Sequence, residues 1–244
     1  MIFLFKKLHY FYSIFIILFF AVLFYPMYYV SSGKPEWWGF LNRLRRLNSW
    51  ICSLLMGVWF RFRSEEVLDK SKTYIYCANH SSNLDIMVLC ILARGRFHFM
   101  GKDALLKNPV LGIFFKTIDI PVNRESKISA FRAFKRAGDN LDQGMSLIIF
   151  PEGKINDEHY PPVLGEFKNG PFRLAIERNI TIVPISLINV WKRMWDDGHK
   201  YGTTPGICDI YIHKPVSTEA LAIKDADQLK DHIYEIMNSK LVIR

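Results

Sequence analysis

The sequence lacks most of the patterns that announce a metal, redox or nucleotide site. Its four cysteines, Cys52, Cys77, Cys90 and Cys208, form no C-x-x-C pair, which leaves them as reduced, buried small hydrophobes and demands no oxidising compartment. Seven histidines are scattered without H-E-x-x-H or zinc-ligand spacing, so no metal is expected. A G-x-S-x-G nucleophile elbow is missing. The stretch GRFHFMGKD has one residue too many between its glycines for a P-loop and lacks the following Ser/Thr, which argues against nucleotide hydrolysis. Acidic residues are outnumbered, 23 against 32 Lys+Arg, giving a formal charge of +9. No nucleic-acid motif accompanies that charge, so anionic lipid is the expected partner and nucleic acid is not.

Charge is also missing locally. Residues 8–30 (LHYFYSIFIILFFAVLFYPMYYV) contain no Lys, Arg, Asp or Glu, and about 20 apolar residues suffice for a helix to cross a bilayer. A cleaved signal peptide would carry a core of about 7–15 residues and a small-residue cleavage site. This run is longer and aromatic, and PMYYV offers no such site. A retained membrane segment is expected, either spanning the bilayer or dipping into one leaflet.

After the break at SSGKP, residues 36–60 show helical spacing. Trp37, Phe40, Leu41, Leu44, Leu47, Ile51, Leu54, Leu55 and Val58 fall on one face, with Asn42, Arg45, Arg46 and Ser49 on the other. With Arg43, Arg61 and Arg63 nearby, the helix suits an interface with anionic lipid, and its stripe equally suits packing on the globular body. Residues 1–63 are therefore expected to form a membrane anchor and residues 64–244 a catalytic domain. Basic residues flanking the apolar run place that domain on the cytoplasmic side, at the inner membrane if the source is bacterial.

From about residue 71 the pattern alternates. TYIYCAN, RFHFMGK, TIDIPVN, MSLIIF, TIVPISLI and ICDIYIHKPV read as strands. SNLDIMVLCILA, DALLKNPVLGIFFK (broken at Asn108-Pro109), ESKISAFRAFKRAGDNLDQG, GPFRLAIERN and residues 218–241 read as helices. This predicts an α/β fold with a largely parallel central sheet flanked by helices. Sites in such sheets lie beyond the carboxyl ends of the strands.

Those ends carry NHSSNLD, the Arg124 that follows IPVN, the PEGK that follows MSLIIF, and VPIS. If Ser82 caps the helix after the first of these, Asp85 is its third residue and can reach back toward His80. The carboxylate would fix the imidazole tautomer and leave the other nitrogen free to take a proton. A plain capping role for Asp85, favourable to the helix dipole, is the competing reading of this stretch.

NHSSNLD, IPVNR, FPEG and VPIS, in that order, resemble the four blocks of the glycerolipid acyltransferases, and the chain is similar to the 1-acylglycerol-3-phosphate (lysophosphatidate) acyltransferase family. The resemblance covers roughly residues 73–188, and the paired helices before it look like that family's membrane anchor. It implies His80 as the general base on the acceptor hydroxyl and Asp85 orienting it. Acyl-CoA or acyl carrier protein would be the donor substrate, with no bound cofactor and membrane lipids as partners. Arg124 would bind the acceptor's phosphate; Glu152, Gly153, Asn83, Lys102 and Lys154 complete the expected substrate-binding set. The family commonly reads F-P-E-G-T-R-S where this chain has FPEGKIND. That departure leaves open a different lysolipid, an amino-acid lipid acceptor, or a lipid-binding protein without turnover.

Overall fold

The structure, a computed structural model, describes residues 2–155 and 158–241. Seven strands form one sheet: β1 (Val58–Ser64), β2 (Ile75–Ala78), β3 (Phe97–Lys102), β4 (Ile120–Val122), β5 (Ser146–Ile149), β6 (Ile182–Leu187) and β7 (Gly206–Ile212). Their order is β1-β7-β6-β2-β5-β3-β4, and every pair is parallel except β6–β7. The helices are α1 (Ile2–Ser32), α2 (Trp38–Leu55), α3 (Leu84–Leu92), α4 (Gly112–Phe115), α5 (Lys127–Asp142), α6 (Gly170–Glu177) and α7 (Ala226–Leu241). The expected fold class is the one observed.

The central strands β2, β5 and β6 are buried at every position, as continuous apolar runs covered on both faces must be. Alternate residues feed different layers. Tyr76 and Ala78 of β2 join a core with Cys52, Val88 and Leu89 under α2 and α3. Ile75 and Cys77 join Leu141, Phe172 and Ile233 under α5, α6 and α7. Pro121 sits in the edge strand β4, where a missing N–H leaves no central ladder bond unmade.

Two expectations about the N-terminal region need correction. The helix predicted over 36–60 ends at Leu55, and Val58–Ser64 is a strand paired with β7. Gly57, at φ +66°, stops the helix, and Val58 and Phe60 then point inward with Trp59 and Arg61 outward. The second correction concerns the wheel of α2. Asn42, Arg45 and Ser49 are buried, and the apolar stripe divides: Leu41 and Leu44 pack inward, whereas Trp37, Phe40, Leu47, Leu54 and Leu55 are exposed.

Polar pins explain that orientation. Asn42 Nδ2 donates to the Phe97 carbonyl at 2.9 Å, Arg45 pairs with Asp119, and Arg46 donates to the Ala93 carbonyl. Helix α1 follows the same rule. Ser13, Ala21, Ser31 and Ser32 face the protein, and Phe11, Phe15, Phe19, Val22, Leu23 and Tyr29 face away. Small and polar residues allow close helix approach, and with Ile16, Tyr28, Leu41 and Leu44 packed inward the remaining bulky apolar residues face outward.

Candidate active site

NHSSNLD stands where β2 ends and α3 begins. Asn79 is spent on structure: its side chain donates to the Leu187 carbonyl at 3.2 Å and accepts the Leu187 N–H at 2.7 Å, fastening the loop to β6. Ser82 Oγ accepts the Leu84 N–H at 3.1 Å, an Asx-like cap that turns the chain into α3. Asp85, fully buried in the first turn, reaches back as the cap geometry predicts. Its Oδ2 accepts three hydrogen bonds: from the Ser81 N–H at 2.8 Å, the Ser82 N–H at 2.9 Å and His80 Nδ1 at 3.0 Å. The carboxylate thus has two structural roles. It caps the loop and holds the histidine.

With the Nδ1 proton directed at the carboxylate, Nε2 carries the lone pair. The ring lies flat on Phe150, with centroids 3.9 Å apart and planes at 13°. Two restraints, the carboxylate and the stacked ring, thus set its position and its plane. His80 remains 16% exposed, enough for contact with a ligand.

Glu152, on the turn after the adjacent strand β5, closes the frame. One carboxylate oxygen accepts the His80 N–H at 2.7 Å and the other the Gly165 N–H at 2.7 Å. Gly153, at φ +78°, permits the turn that places it. Burial raises the Glu152 pKa to about 7, against the lowering effect of those two N–H donors. The folded state then binds more protons than the unfolded one between about 4.5 and 7, so stability falls as pH rises through that window. The slope is at most about 1.4 kcal/mol per pH unit. Denaturant melts at pH 5, 6 and 7 are expected to show it, and Glu152→Gln to flatten it.

A cavity of about 340 Å³ opens beside His80, walled by Glu152, Pro161, Val163, Leu187, Trp191 and Asn238. A second, of about 370 Å³, lies on the other flank of the α3 start, between Ile17 of α1, Cys52 of α2 and Met87 of α3.

The predicted residues divide accordingly. His80, Asp85 and Glu152 come together. Asn83 has an exposed side chain and borders the second cavity, while its N–H donates to the Asp196 carbonyl at 2.9 Å. Lys102 ends β3 and Arg124 lies two residues past β4, both exposed. Since β2, β5, β3 and β4 are successive neighbours, Arg124 stands three strand spacings from His80, roughly 14 Å along the same edge. Lys154 points to solvent and lies 3.7 Å from Glu158. Asn156 and Asp157 of FPEGKIND fall outside the described residues.

Sequence reasoning missed Phe150, Ser81, Trp191 and Asn238. Only the first had a signal, as the F of FPEG. Ser186 of VPIS proves fully buried away from this cavity, with its Oγ 2.8 Å from His213 Nε2 and donating to the Met237 carbonyl at 3.1 Å.

Comparison with known proteins gives this geometry a context. A family model described as Acyltransferase matches residues 60–188, more than half of the chain. A 1-acyl-sn-glycerol-3-phosphate acyltransferase of Chlamydomonas reinhardtii is 30% identical over 178 residues, 72% of this chain and 51% of the relative. The mouse 1-acyl-sn-glycerol-3-phosphate acyltransferase alpha is 26% identical over 229 residues, covering 91% and 75%. The chain spans about half the length of the algal relative and less of two plant ones. In fold it is similar to the crystal structure of the 1-acyl-sn-glycerophosphate acyltransferase PlsC from Thermotoga maritima, with TM-score 0.80 at 18% identity over 99% of this chain and 97% of that one. A His–Asp pair at the strand edge, inside the matched span, thus sits in a chain that belongs to the acyltransferase family.

Proposed function

We propose that this protein transfers a fatty acyl group from a thioester donor, acyl-CoA or acyl carrier protein, to the free hydroxyl of 1-acylglycerol-3-phosphate or a similar one-chain lipid. The observation that carries the reading is the His80–Asp85 pair, held in plane by Phe150 beside an open cavity. Its Nε2 takes the acceptor hydroxyl proton as the oxygen bonds to the thioester carbonyl. Asp85 stabilises the imidazolium so formed. As the tetrahedral centre collapses, the C–S bond breaks and the thiolate leaves, recovering the proton from Nε2. Arg124 and Lys102, aligned on the same edge, supply a fork and a point charge for the acceptor's phosphate. The apolar second cavity accommodates the acyl chain.

Membrane attachment belongs to the same proposal. The α1 carbonyl of Lys6 accepts the Thr203 N–H at 3.1 Å, and Tyr28 Oη accepts from Asn48 Nδ2 at 2.8 Å. Helix α1 therefore rests on the protein from residue 6 to residue 28, about 33 Å of helix. That length matches the roughly 30 Å hydrocarbon core. A helix fixed along it cannot stand across the bilayer without drawing the body in, so it lies in one leaflet with its apolar side down. The acceptor then reaches His80 from the lipid.

The test is transfer from labelled acyl donor to a panel of lysolipids, read by mass spectrometry. Two-chain product from lysophosphatidate is expected, and product from another lysolipid alone would change the acceptor. Free fatty acid with no lipid product would replace transfer by hydrolysis.

A further inference from the structure

The cavity beside His80 is unsuited to a phosphate. No Lys or Arg is among the described residues that line it, and Glu152, 7% exposed, borders it. A phosphate there would face a carboxyl group and no cation, and an unpaired buried charge is costly. The basic residues of the site, Lys102 and Arg124, belong to β3 and the end of β4 instead. The cavity is therefore built for a neutral part of a substrate.

Its surface narrows the choice. Val163, Leu164, Ile188 and Trp191 provide apolar wall, but a neutral polar side chain, Asn238, interrupts it. Ser81 also lines the cavity, but its Oγ is buried and does not count. Asn238 sits in the last turns of α7. Asn79 is already engaged by Leu187 and does not count. A fatty chain would leave Asn238 unmatched, whereas a chain carrying amides would satisfy it. The second cavity, across the α3 start and bordered by α1 and α2, is the more apolar of the two, with Ile14, Ile17, Ile86 and Met87 alongside Arg45, Asn48 and Asp197.

Building on the acyl-transfer reading, we propose that the cavity between His80 and α7 is the subsite for the phosphopantetheine arm of the thioester donor. Asn238 hydrogen-bonds one of its amides, the sulfur lies at His80, and the arm's terminal phosphate stays at the open mouth. The same arm occurs on CoA and on acyl carrier protein, so the subsite serves either donor.

Asn238→Leu tests this in steady-state kinetics with acyl-CoA, acyl carrier protein and an amide-free S-acyl ethanethiol. One lost hydrogen bond of about 1–1.5 kcal/mol corresponds to roughly a 5–13-fold rise in KM. That rise is expected for both arm-bearing donors, with the acceptor KM and turnover of the amide-free thioester unchanged. Retained amide-free turnover also certifies folding. In parallel, an S-alkyl thioether of CoA, which has no thiol to consume the reagent, is expected to protect Val163→Cys from a maleimide. A rise in acceptor KM instead, an equal effect on the amide-free thioester, an effect confined to acyl-CoA, or a shifted chain-length preference would each overturn the assignment. If the wild type transfers nothing, the acyl-transfer reading falls, while protection of Val163→Cys by the CoA thioether still decides the subsite.

Discussion

His80→Ala is expected to lower kcat/KM by ~10²–10⁴-fold, the range that a positioned general base contributes, with little loss of stability. The two effects separate because the structure uses the histidine's backbone and side chain differently. Its N–H, which donates to Glu152, survives the substitution, and so do the Ser81 and Ser82 N–H bonds to Asp85. Only the imidazole and its stack on Phe150 are lost.

Asp85 behaves differently. Three donors converge on the single oxygen Oδ2, and an amide oxygen can take its place. Asp85→Asn therefore removes charge more than geometry. The difference between a charged and a neutral hydrogen bond is about 1–2 kcal/mol, or roughly 5–30-fold in rate. Asp85→Ala leaves two buried N–H groups unpaired and adds a stability loss of about 1–3 kcal/mol for each. Steady-state kinetics and thermal melts on the three variants give this order, and a His80→Ala enzyme as fast as wild type would falsify the assignment.

The legible part of this site was the local part. His80, Ser82 and Asp85 lie within one turn of chain, so the cap that joins them can be read from residue types and spacing. Phe150 and Glu152 act on His80 from 70 and 72 residues away because β5 lies next to β2, and strand order is not written in any one segment. The strand β1 was hidden for another reason. Val58 fits a helical wheel as well as an alternating strand, and Gly57 gives the break only once its φ is known. The apolar stripe of α2 was visible, but not its direction. A stripe says which residues share a face, while Asn42, Arg45 and Ser49 decide which face meets the protein.

Arg45 gives the largest stability effect expected in the N-terminal region. It is 5% exposed and its partner Asp119 1%. Two hydrogen bonds join them, at 3.2 and 2.9 Å, and Asp119 Oδ1 also accepts the Phe99 N–H at 2.9 Å. The guanidinium packs over the Phe97, Phe99 and Phe114 rings at 5.5, 5.0 and 4.6 Å. Arg45→Met is expected to cost about 3–5 kcal/mol, because it strands a buried carboxylate rather than because the pair itself is worth so much. Asp119→Asn strands the cation instead but keeps an acceptor for Phe99. The double variant Arg45→Met/Asp119→Asn removes both charges and retains that acceptor, so it should recover most of the loss of Arg45→Met. Denaturant melts on the two single variants and the double variant test this, and a single variant within about 1 kcal/mol of wild type would contradict it. The pin also has a functional reach. Arg45 borders the second cavity and helps fix which side of α2 faces outward, so under the proposed function loosening it should weaken acyl-chain binding and the seating of α2 on lipid together.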